Sequence, residues 1–405
     1  MWDNLPTEIS TDILHRLPVK TLIKCTTLSK SFLSLITSRD FISDHIPQHT
    51  NSHLLLRYFT QNNQEKYHFE PDNDTFSGFQ NQGLLVPFLN YPNEWFTVAG
   101  CVNGVLCLVN DYRTEGTLII LWNPSIRKFV HVPRPIFVFE KYGGYESACG
   151  FGFDSISDDY KVVRVVDLGP EFQATQIEVY SLKSGCWRVI GVGPCYSIKL
   201  VYCGGYTSCF LNGSVHWVGS RFVSPNDENV ILKFDMSTEC FEIIQLPRIL
   251  QETKAKFSRI LDLFIHECNG MLTLIKWNYN DAIQTCSIWL MKEYGVVKSW
   301  TKTFDLDIGN LRPREMPKAF GFRKYGEVIM VNFGGAIFTL EKNLVVSIDR
   351  VTHSETTLRE IIADHSYYLS TYVESMVLFK EGIGIEDQTT QLDLLLRNQD
   401  DLMGK

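Results

Sequence analysis

A short turn signal recurs through the chain at nearly constant spacing, and this repeat restricts the fold more than any other feature. Asn-Gly pairs at 103–104, 212–213 and 269–270 each lie between two apolar runs, which is the strongest short-range signal for a β-hairpin. Two degenerate turns lie at 157–159 and 325–326. The turn positions 103, 158, 212, 269 and 325 are therefore separated by 55, 54, 57 and 56 residues. Such regular spacing predicts a repeated structural unit.

A second hairpin follows each of the first four turns and completes the unit. Each has a polar tip and an aromatic residue on its return strand; these aromatics are Phe129, Trp187, Phe241 and Trp300. Two hairpins make four strands, which is the content of one β-propeller blade. We therefore predict five blades over residues 97–351, with the four aromatics packed between neighbouring blades.

The two flanks of the repeat region complete the predicted propeller. Strand-like runs lie at 53–59, 66–70 and 84–88, and a late one lies at 371–379. If the late strand pairs with the early ones, the two ends close a sixth blade and protect the sheet edges from aggregation. The fold class expected is mainly β with a small α domain, and the propeller has about six four-stranded blades.

The small α domain is predicted at residues 5–46, where the pattern changes from strands to three or four short helices. Pro6 suits the first turn of a helix, and Pro18 ends that helix at Leu17. Ser29 is placed to cap a third helix, and a fourth short one begins near Asp40. So small a unit buries too little surface to be secure alone. It either borrows stability from a partner or caps the domain behind it.

Composition excludes several classes of protein. The net charge is −8 and the basic residues are scattered, which argues against a nucleic-acid-binding face. No secretory signal begins the chain, and its apolar runs are too short to span a membrane. The chain has 11 cysteines but no C-x-x-C pair, so we expect free thiols in a reducing compartment. The location expected is the cytosol, the nucleus or both.

Candidate catalytic and metal-binding residues are few. His45 and His49 have helical spacing, but Pro47 between them should disrupt that helix. His216 lies on a predicted strand, where a structural role is more common. The Asp154–Asp159 stretch resembles part of a calcium loop, yet no glutamate follows at the required distance, so turn chemistry explains it better. No catalytic, metal or cofactor site is expected.

The residue order of the N-terminal segment is characteristic over its whole length: LPTEI at 5–9, ILHRLPVKTL at 13–22, CTTLSKSF at 25–32 and LI at 35–36. This order closely resembles an F-box, with Phe32 where many members have tryptophan. The resemblance implies binding to the Skp adaptor and, through it, to the cullin and RING subunits of a ubiquitin ligase. The residues expected to face the adaptor or one another are Leu5, Pro6, Ile9, Ile13, Leu14, Leu17, Pro18, Leu22, Leu28 and Phe32.

The repeat region also resembles a known family. WNPSIRKF, GFGFDSISDDYKVVRVV, IEVYSLKSGCWRVI and LNGSVHWVG are similar to the F-box-associated domain of a large plant family, often grouped with kelch-type propellers. We therefore expect an F-box at 1–46, a hinge at 47–52, a kelch-like propeller at 53–380 and a flexible acidic tail at 381–405.

The combination implies a non-catalytic substrate receptor of a Skp–cullin–F-box ligase that leads a protein substrate to ubiquitination and proteasomal degradation. Loops on a rigid scaffold are the expected substrate-binding elements. The candidate substrate-binding residues are Trp95, Tyr142, Tyr145, Tyr196, Tyr206, Arg221, Phe222 and Arg312. Two alternatives remain: an F-box scaffold that does not drive degradation, and a propeller enzyme.

Overall fold

The described residues form a helical N-terminus followed by β-sheets. The computed structural model describes residues 6–48, 53–59, 65–72, 84–85, 96–110, 117–169, 175–191, 198–200, 208–223, 226–251, 263–279, 284–307, 319–323, 328–331, 337–341, 344–347, 368–379 and 383–384. Within these ranges no helix has the length and apolar character needed to cross a membrane. The nine cysteines in these ranges are free thiols.

Four helices begin the described chain, and together they are called the helical module below. They are α1 (Thr7–His15), α2 (Val19–Cys25), α3 (Lys30–Ile36) and α4 (Arg39–Gln48). The Ser29 hydroxyl accepts a hydrogen bond from the Phe32 N–H at 3.1 Å, which confirms the predicted cap of α3. The prediction for α4 was wrong in one respect. This helix continues through Pro47 to Gln48. Because only one helical residue follows Pro47, the missing N–H forfeits a single hydrogen bond at the end of the helix.

The strands follow in chain order. The early ones are β1 (His53–Phe59), β2 (Glu65–Pro71) and β3 (Leu84–Leu85). The next segment has β4 (Thr97–Val102), β5 (Val105–Asn110), β6 (Leu118–Asn123) and β7 (Lys128–Val132). A short helix, α5 (Phe139–Tyr142), precedes β8 (Glu146–Asp154), β9 (Asp159–Asp167), β10 (Thr175–Ser181) and β11 (Cys186–Gly191).

The later strands repeat this arrangement. They are β12 (Ile198–Leu200), β13 (Ser208–Leu211), β14 (Ser214–Val223), β15 (Asn226–Asp235) and β16 (Phe241–Ile244). After the helix α6 (Arg248–Gln251) come β17 (Leu263–Cys268), β18 (Met271–Tyr279), β19 (Gln284–Met291) and β20 (Trp300–Asp307). The last are β21 (Ala319–Phe322), β22 (Val328–Val331), β23 (Ile337–Glu341), β24 (Leu344–Ser347), β25 (Tyr368–Tyr372) and β26 (Ile383–Gly384).

These strands form a propeller. Five sheets are built from consecutive strands, β4–β7, β8–β11, β12–β16, β17–β20 and β21–β24. A further sheet has the order β25-β1-β2-β3 and so combines both ends of the chain. The innermost strands touch in sequence around a closed ring, from β4 to β8, β13, β17, β21 and β25 and back to β4. Each group of strands is therefore one blade.

The predicted closure by the two chain ends is confirmed, with a shift in the late strand. Leu56 of β1 lies opposite Leu369 of β25 in an antiparallel register. The late strand spans 368–372 rather than 371–379, and the following residues cross to another blade. The expected flexible tail from residue 381 also needs correction, because Ile383 of β26 pairs with Phe129 at the outer edge of β7.

The hairpin turns have the predicted backbone. Asn103 and Gly104 both have positive φ, 50° and 77°, and the pairs at 212–213 and 269–270 have nearly the same values. Both central residues of a type I′ turn require positive φ, which explains the Asn-Gly sequence. The turn at 157–159 places Asp158 at φ 49°. The fifth predicted turn, at 325–326, lies outside the described residues.

The recurrent aromatics pack between blades, as predicted. Phe129 shares an apolar cluster with Leu55 and Tyr67 of the neighbouring sheet. Trp187 donates a hydrogen bond from Nε1 to the Pro133 carbonyl after the preceding blade, at 2.7 Å. Phe241 and Trp300 also lie in clusters shared with the preceding sheets.

Deletion of the late strand tests the closure. A chain that ends at residue 366 lacks β25, so β1 is left as an unpaired edge, and we expect aggregation and loss of a cooperative thermal transition. A chain that ends at residue 386 retains every described residue and should behave as the full chain. Size-exclusion chromatography and circular dichroism melting measure both. Equal melting curves for the two truncations would contradict this closure.

Candidate functional site

The propeller has two different faces, which follow from the antiparallel strand order. In each blade the first and third hairpin turns lie at the same end of the sheet. Tips such as 103–104, 124–127 and 155–158 therefore form one face, called the turn face. The second connection of each blade and the connections between blades lie at the other end. Segments such as 133–145 and 247–251 form this loop face.

The helical module is attached to the turn face. Arg39, at the start of α4, forms an ion pair with Asp158 and also donates to its carbonyl. Leu14, Leu22 and Phe41 share one continuous apolar cluster with Val105 of the β4–β7 blade and other buried blade residues. The module is thus a cap packed on the propeller, which is one of the two arrangements that the sequence left open.

A buried carboxylate organises the turn that receives Arg39. Asp154 accepts hydrogen bonds from the Ile156 and Ser157 N–H groups at 2.9 and 3.2 Å and from Lys161 Nζ at 2.8 Å. Ser237 of the next blade also donates to it, at 2.5 Å. Burial by itself raises the pKa of Asp154, but the donors together hold that pKa below its usual range. The turn is therefore held by contacts that do not involve Arg39.

The predicted adaptor-binding residues divide by exposure. Pro6, Ile9, Pro18 and Leu28 are exposed, with Ile9 49% and Leu28 69% accessible. Ile13, Leu17 and Phe32 are half-buried, and Leu5 lies outside the described residues.

Leu14 and Leu22 need correction. They are 2% and 0% exposed and belong to the core shared with the propeller, so they are packing residues. Sequence reasoning missed Leu33 of α3, which is exposed like Ile9 and Leu28, at 41%.

On the loop face a buried ion pair holds the segment 133–145. Arg164 and Glu178 are directly paired, and neither side chain is exposed. Glu178 accepts hydrogen bonds from the N–H groups of Ile136, at 2.7 Å, and Phe137, at 3.4 Å. Arg164 donates to the Phe137 carbonyl and to the Tyr145 hydroxyl, each at 3.3 Å. Burial raises the pKa of Glu178 and the Arg164 charge opposes this rise.

Buried charged side chains also hold two other connections between blades. Glu65, paired with Arg57 at 2.6 Å, accepts a hydrogen bond from the Phe96 N–H at 3.2 Å. Lys276 donates to the Ile249 carbonyl of α6. Sequence reasoning missed these anchors. The sequence feature that could have predicted these anchors is a charged residue inside an apolar strand, as in YKVVRVV for Arg164.

The predicted substrate-binding residues are only partly described. Tyr142 packs on Phe137 with ring centroids 5.3 Å apart, and Tyr145 hydrogen-bonds Thr117 at 3.0 Å. Arg221 pairs with Glu228 at 3.4 Å across the β14–β15 hairpin. All three lie on the loop-face side of their blades. Trp95, Tyr196, Tyr206 and Arg312 lie outside the described residues, as does the side chain of Phe222.

The histidines singled out by the sequence have structural surroundings. His216 is buried, its Nδ1 lies 3.2 Å from the Cys209 carbonyl, and its Nε2 lies 2.7 Å from the Tyr294 hydroxyl. Burial lowers the pKa of His216 to about 4. His45 contacts the Leu17 carbonyl through Nε2 at 3.0 Å, and His49 is outside the described part. Among the described residues no three His, Cys, Asp or Glu side chains form a group that could hold a metal ion.

The Asp154 carboxylate makes a testable contribution to acid stability. Its pKa is lower in the folded state than the unfolded value of 3.8, so its contribution is present above that pH and is lost as the pH falls below it. Asp154→Asn should lower the free energy of unfolding at neutral pH by about 1.5–3 kcal/mol, because hydrogen bonds to a charged group are lost.

The variant should also show a weaker dependence of stability on pH between about pH 5 and about pH 2. Urea denaturation at a series of pH values measures both effects. The matched control is Asp12→Asn, which removes an exposed carboxylate of α1. An Asp154→Asn curve parallel to that of the unaltered chain would show that this carboxylate has no such role.

Comparison with known proteins agrees with this architecture. Residues 2–44 match the F-box domain, and residues 79–379 match the F-box associated beta propeller domain. The chain is 31% identical to the F-box protein CPR1 of Arabidopsis thaliana over 400 residues, which cover 93% of this chain and 90% of that protein. It is 28% identical to the F-box protein At4g22390 of the same plant, over 74% of this chain and 73% of that protein. The chain belongs to the family of F-box proteins with an F-box-associated β-propeller.

Proposed function

We propose that this protein is the substrate-recognition subunit of a Skp–cullin–F-box ubiquitin ligase. The helical module binds the Skp-family adaptor, which brings the cullin and RING subunits, and the loop face of the propeller binds a protein substrate. One observation supports this arrangement most directly. The helical module is packed on the turn face, so the loop face, on which the described candidates Tyr142, Tyr145 and Arg221 lie, is left for the substrate.

The adaptor side of the proposal rests on exposed apolar side chains. Ile9, Leu28 and Leu33 are all large, apolar and accessible, and they fall within one short stretch of the chain. Apolar groups gathered on a small module are typical of the centre of a protein interface. Pro6 and Pro18 are exposed at the starts of α1 and α2 and extend this apolar set.

The substrate side rests on the anchored connections. Ile136 is exposed on a segment held by Glu178, and Ile249 is 57% exposed on a helix held by Lys276. Anchored loops lose little conformational entropy when a partner binds. The chain itself is non-catalytic in this proposal. It raises the effective concentration of substrate lysines near the transferring subunits, in the cytosol, the nucleus or both.

Adaptor binding is tested on the exposed side chains. Ile9→Asp combined with Leu28→Asp should weaken binding of a purified Skp-family adaptor more than about a hundredfold, because burying an unpaired charge in an interface costs about 3–5 kcal/mol. Calorimetric titration measures the affinity, and circular dichroism checks folding. The matched control is Ile249→Asp, an exposed isoleucine on the opposite face. Equal affinities for the double variant and the unaltered chain would exclude the helical module as the adaptor site.

Substrate binding is tested in plant cells with substitutions on the loop face instead of the helical module. Ile136→Asp combined with Ile249→Asp should keep adaptor affinity but lengthen the half-lives of proteins that the unaltered chain destabilises. Quantitative mass spectrometry after a translation block, with and without a proteasome inhibitor, measures those half-lives. If the helical-module variant has no effect on any half-life while the loop-face variant loses its bound proteins, the scaffold alternative is correct.

A further inference from the structure

The chain beyond β25 follows an unusual path across the turn face. After Tyr372 it leaves the blade that it closes and runs as Val373–Phe379, here called the strap. It then forms β26 at the outer edge of β7. The strap therefore crosses the β4–β7 blade from its inner to its outer side, on the face that carries the helical module.

Polar contacts fix the strap to both hairpin turns of that blade. Ser375 Oγ donates to the Asn103 carbonyl at 2.6 Å. Asn123 Nδ2 donates to the carbonyls of Ser375, at 3.0 Å, and Val377, at 2.8 Å. Lys128 Nζ donates to the Phe379 carbonyl at 2.5 Å. These contacts join residues more than 240 positions apart, so they specify one position for the strap on this blade.

The strap and the helical module belong to one apolar cluster. Met376, Val377 and Leu378 are buried and belong to the cluster that contains Leu14 and Leu22 of the module. The same cluster includes blade residues, so the strap contributes to a core shared by three parts of the chain. The ion pair between Arg39 and Asp158 lies outside the strap and joins the module to the next blade.

We propose that the strap is a positioning element, which sets the orientation of the helical module on the propeller. The proposal rests on the proposed function, because that orientation determines the distance between the adaptor and a substrate on the loop face. Ser375 and Asn123 are positioning residues that act through the strap. In this view the C-terminal part of the chain contributes to ligase geometry without touching adaptor or substrate.

Gly104 offers a selective way to displace the strap. A Cβ at Gly104 would lie 2.4 Å from the Val373 carbonyl oxygen and 2.7 Å from Ser375 Oγ. Gly213 and Gly270 occupy the same position in equivalent turns, with φ of 72° against 77° at Gly104. A Cβ at either of them would have no atom of the described residues within 4 Å. Alanine at each site therefore introduces the same backbone strain, and only Gly104→Ala also pushes on the strap.

Amide hydrogen exchange on the full-length chain is the first measurement. In Gly104→Ala we expect α1–α4 and the strap to exchange about tenfold faster than in the unaltered chain, the change expected from overpacking a close contact. In Gly213→Ala and Gly270→Ala the faster exchange should stay within the altered hairpins. Equal exchange of the helices in all three variants would overturn the proposal.

A second variant is needed because Gly104→Ala could act through a general folding defect. Ser375→Ala removes the hydrogen bond to Asn103 without adding atoms, and it should loosen the helices in the same direction while the strands of β17–β20 keep their protection. Titration with purified adaptor separates the two proposals. If the unaltered chain binds no adaptor, the proposed function fails whatever the exchange shows. If adaptor binds equally to all variants but the helices never loosen, only the positioning proposal fails.

Discussion

Pairing of β25 with β1 is the constraint on which the rest of the structure depends. The sheet β25-β1-β2-β3 obtains its innermost strand from residues 368–372. Without that strand, β1 would be left as an unpaired edge. These contacts join the two ends of the chain and belong to the most non-local class, for which the loop-closure entropy is highest. Closure also places the strap, because Val373 follows directly from β25. Through the strap, in the proposal made above, this pairing also sets the position of the helical module.

On each face of the propeller, buried ion pairs hold a turn or a connecting segment in place. On the turn face Lys161 joins Asp154 to Glu239 of the next blade, and on the loop face Arg164 joins Glu178 to the segment 133–145. Burying such pairs costs desolvation energy, and this cost is offset only where further hydrogen bonds satisfy the remaining atoms. Backbone N–H groups of the turns supply those bonds in both cases. The buried charges thus hold these connections in addition to apolar packing such as that of Phe137.

Several elements could be read from local patterns because short-range physics determines them. Positive φ at Asn103 and Gly104 follows from a two-residue hairpin turn, and the cap of α3 follows from the Ser29 hydroxyl. The anchors were harder to predict. A charged residue such as Arg164 has an apolar strand around it in the sequence, and its partner Glu178 lies on another strand. Only the register of β9 against β10 brings the two side chains together.

By itself, the sequence determined the hairpins and the existence of a small helical module, because each depends on residues close together in the chain. The repeat and the aromatic packing positions could be predicted because the same local pattern recurs at regular spacing. Tertiary structure decided which apolar residues of the module are buried. Leu14 and Leu28 look alike in the sequence, yet one lies in a core shared with the propeller and the other is exposed. It also decided which face carries the module and where the late strand ends. These outcomes depend on contacts between distant segments, whose partners no local pattern identifies.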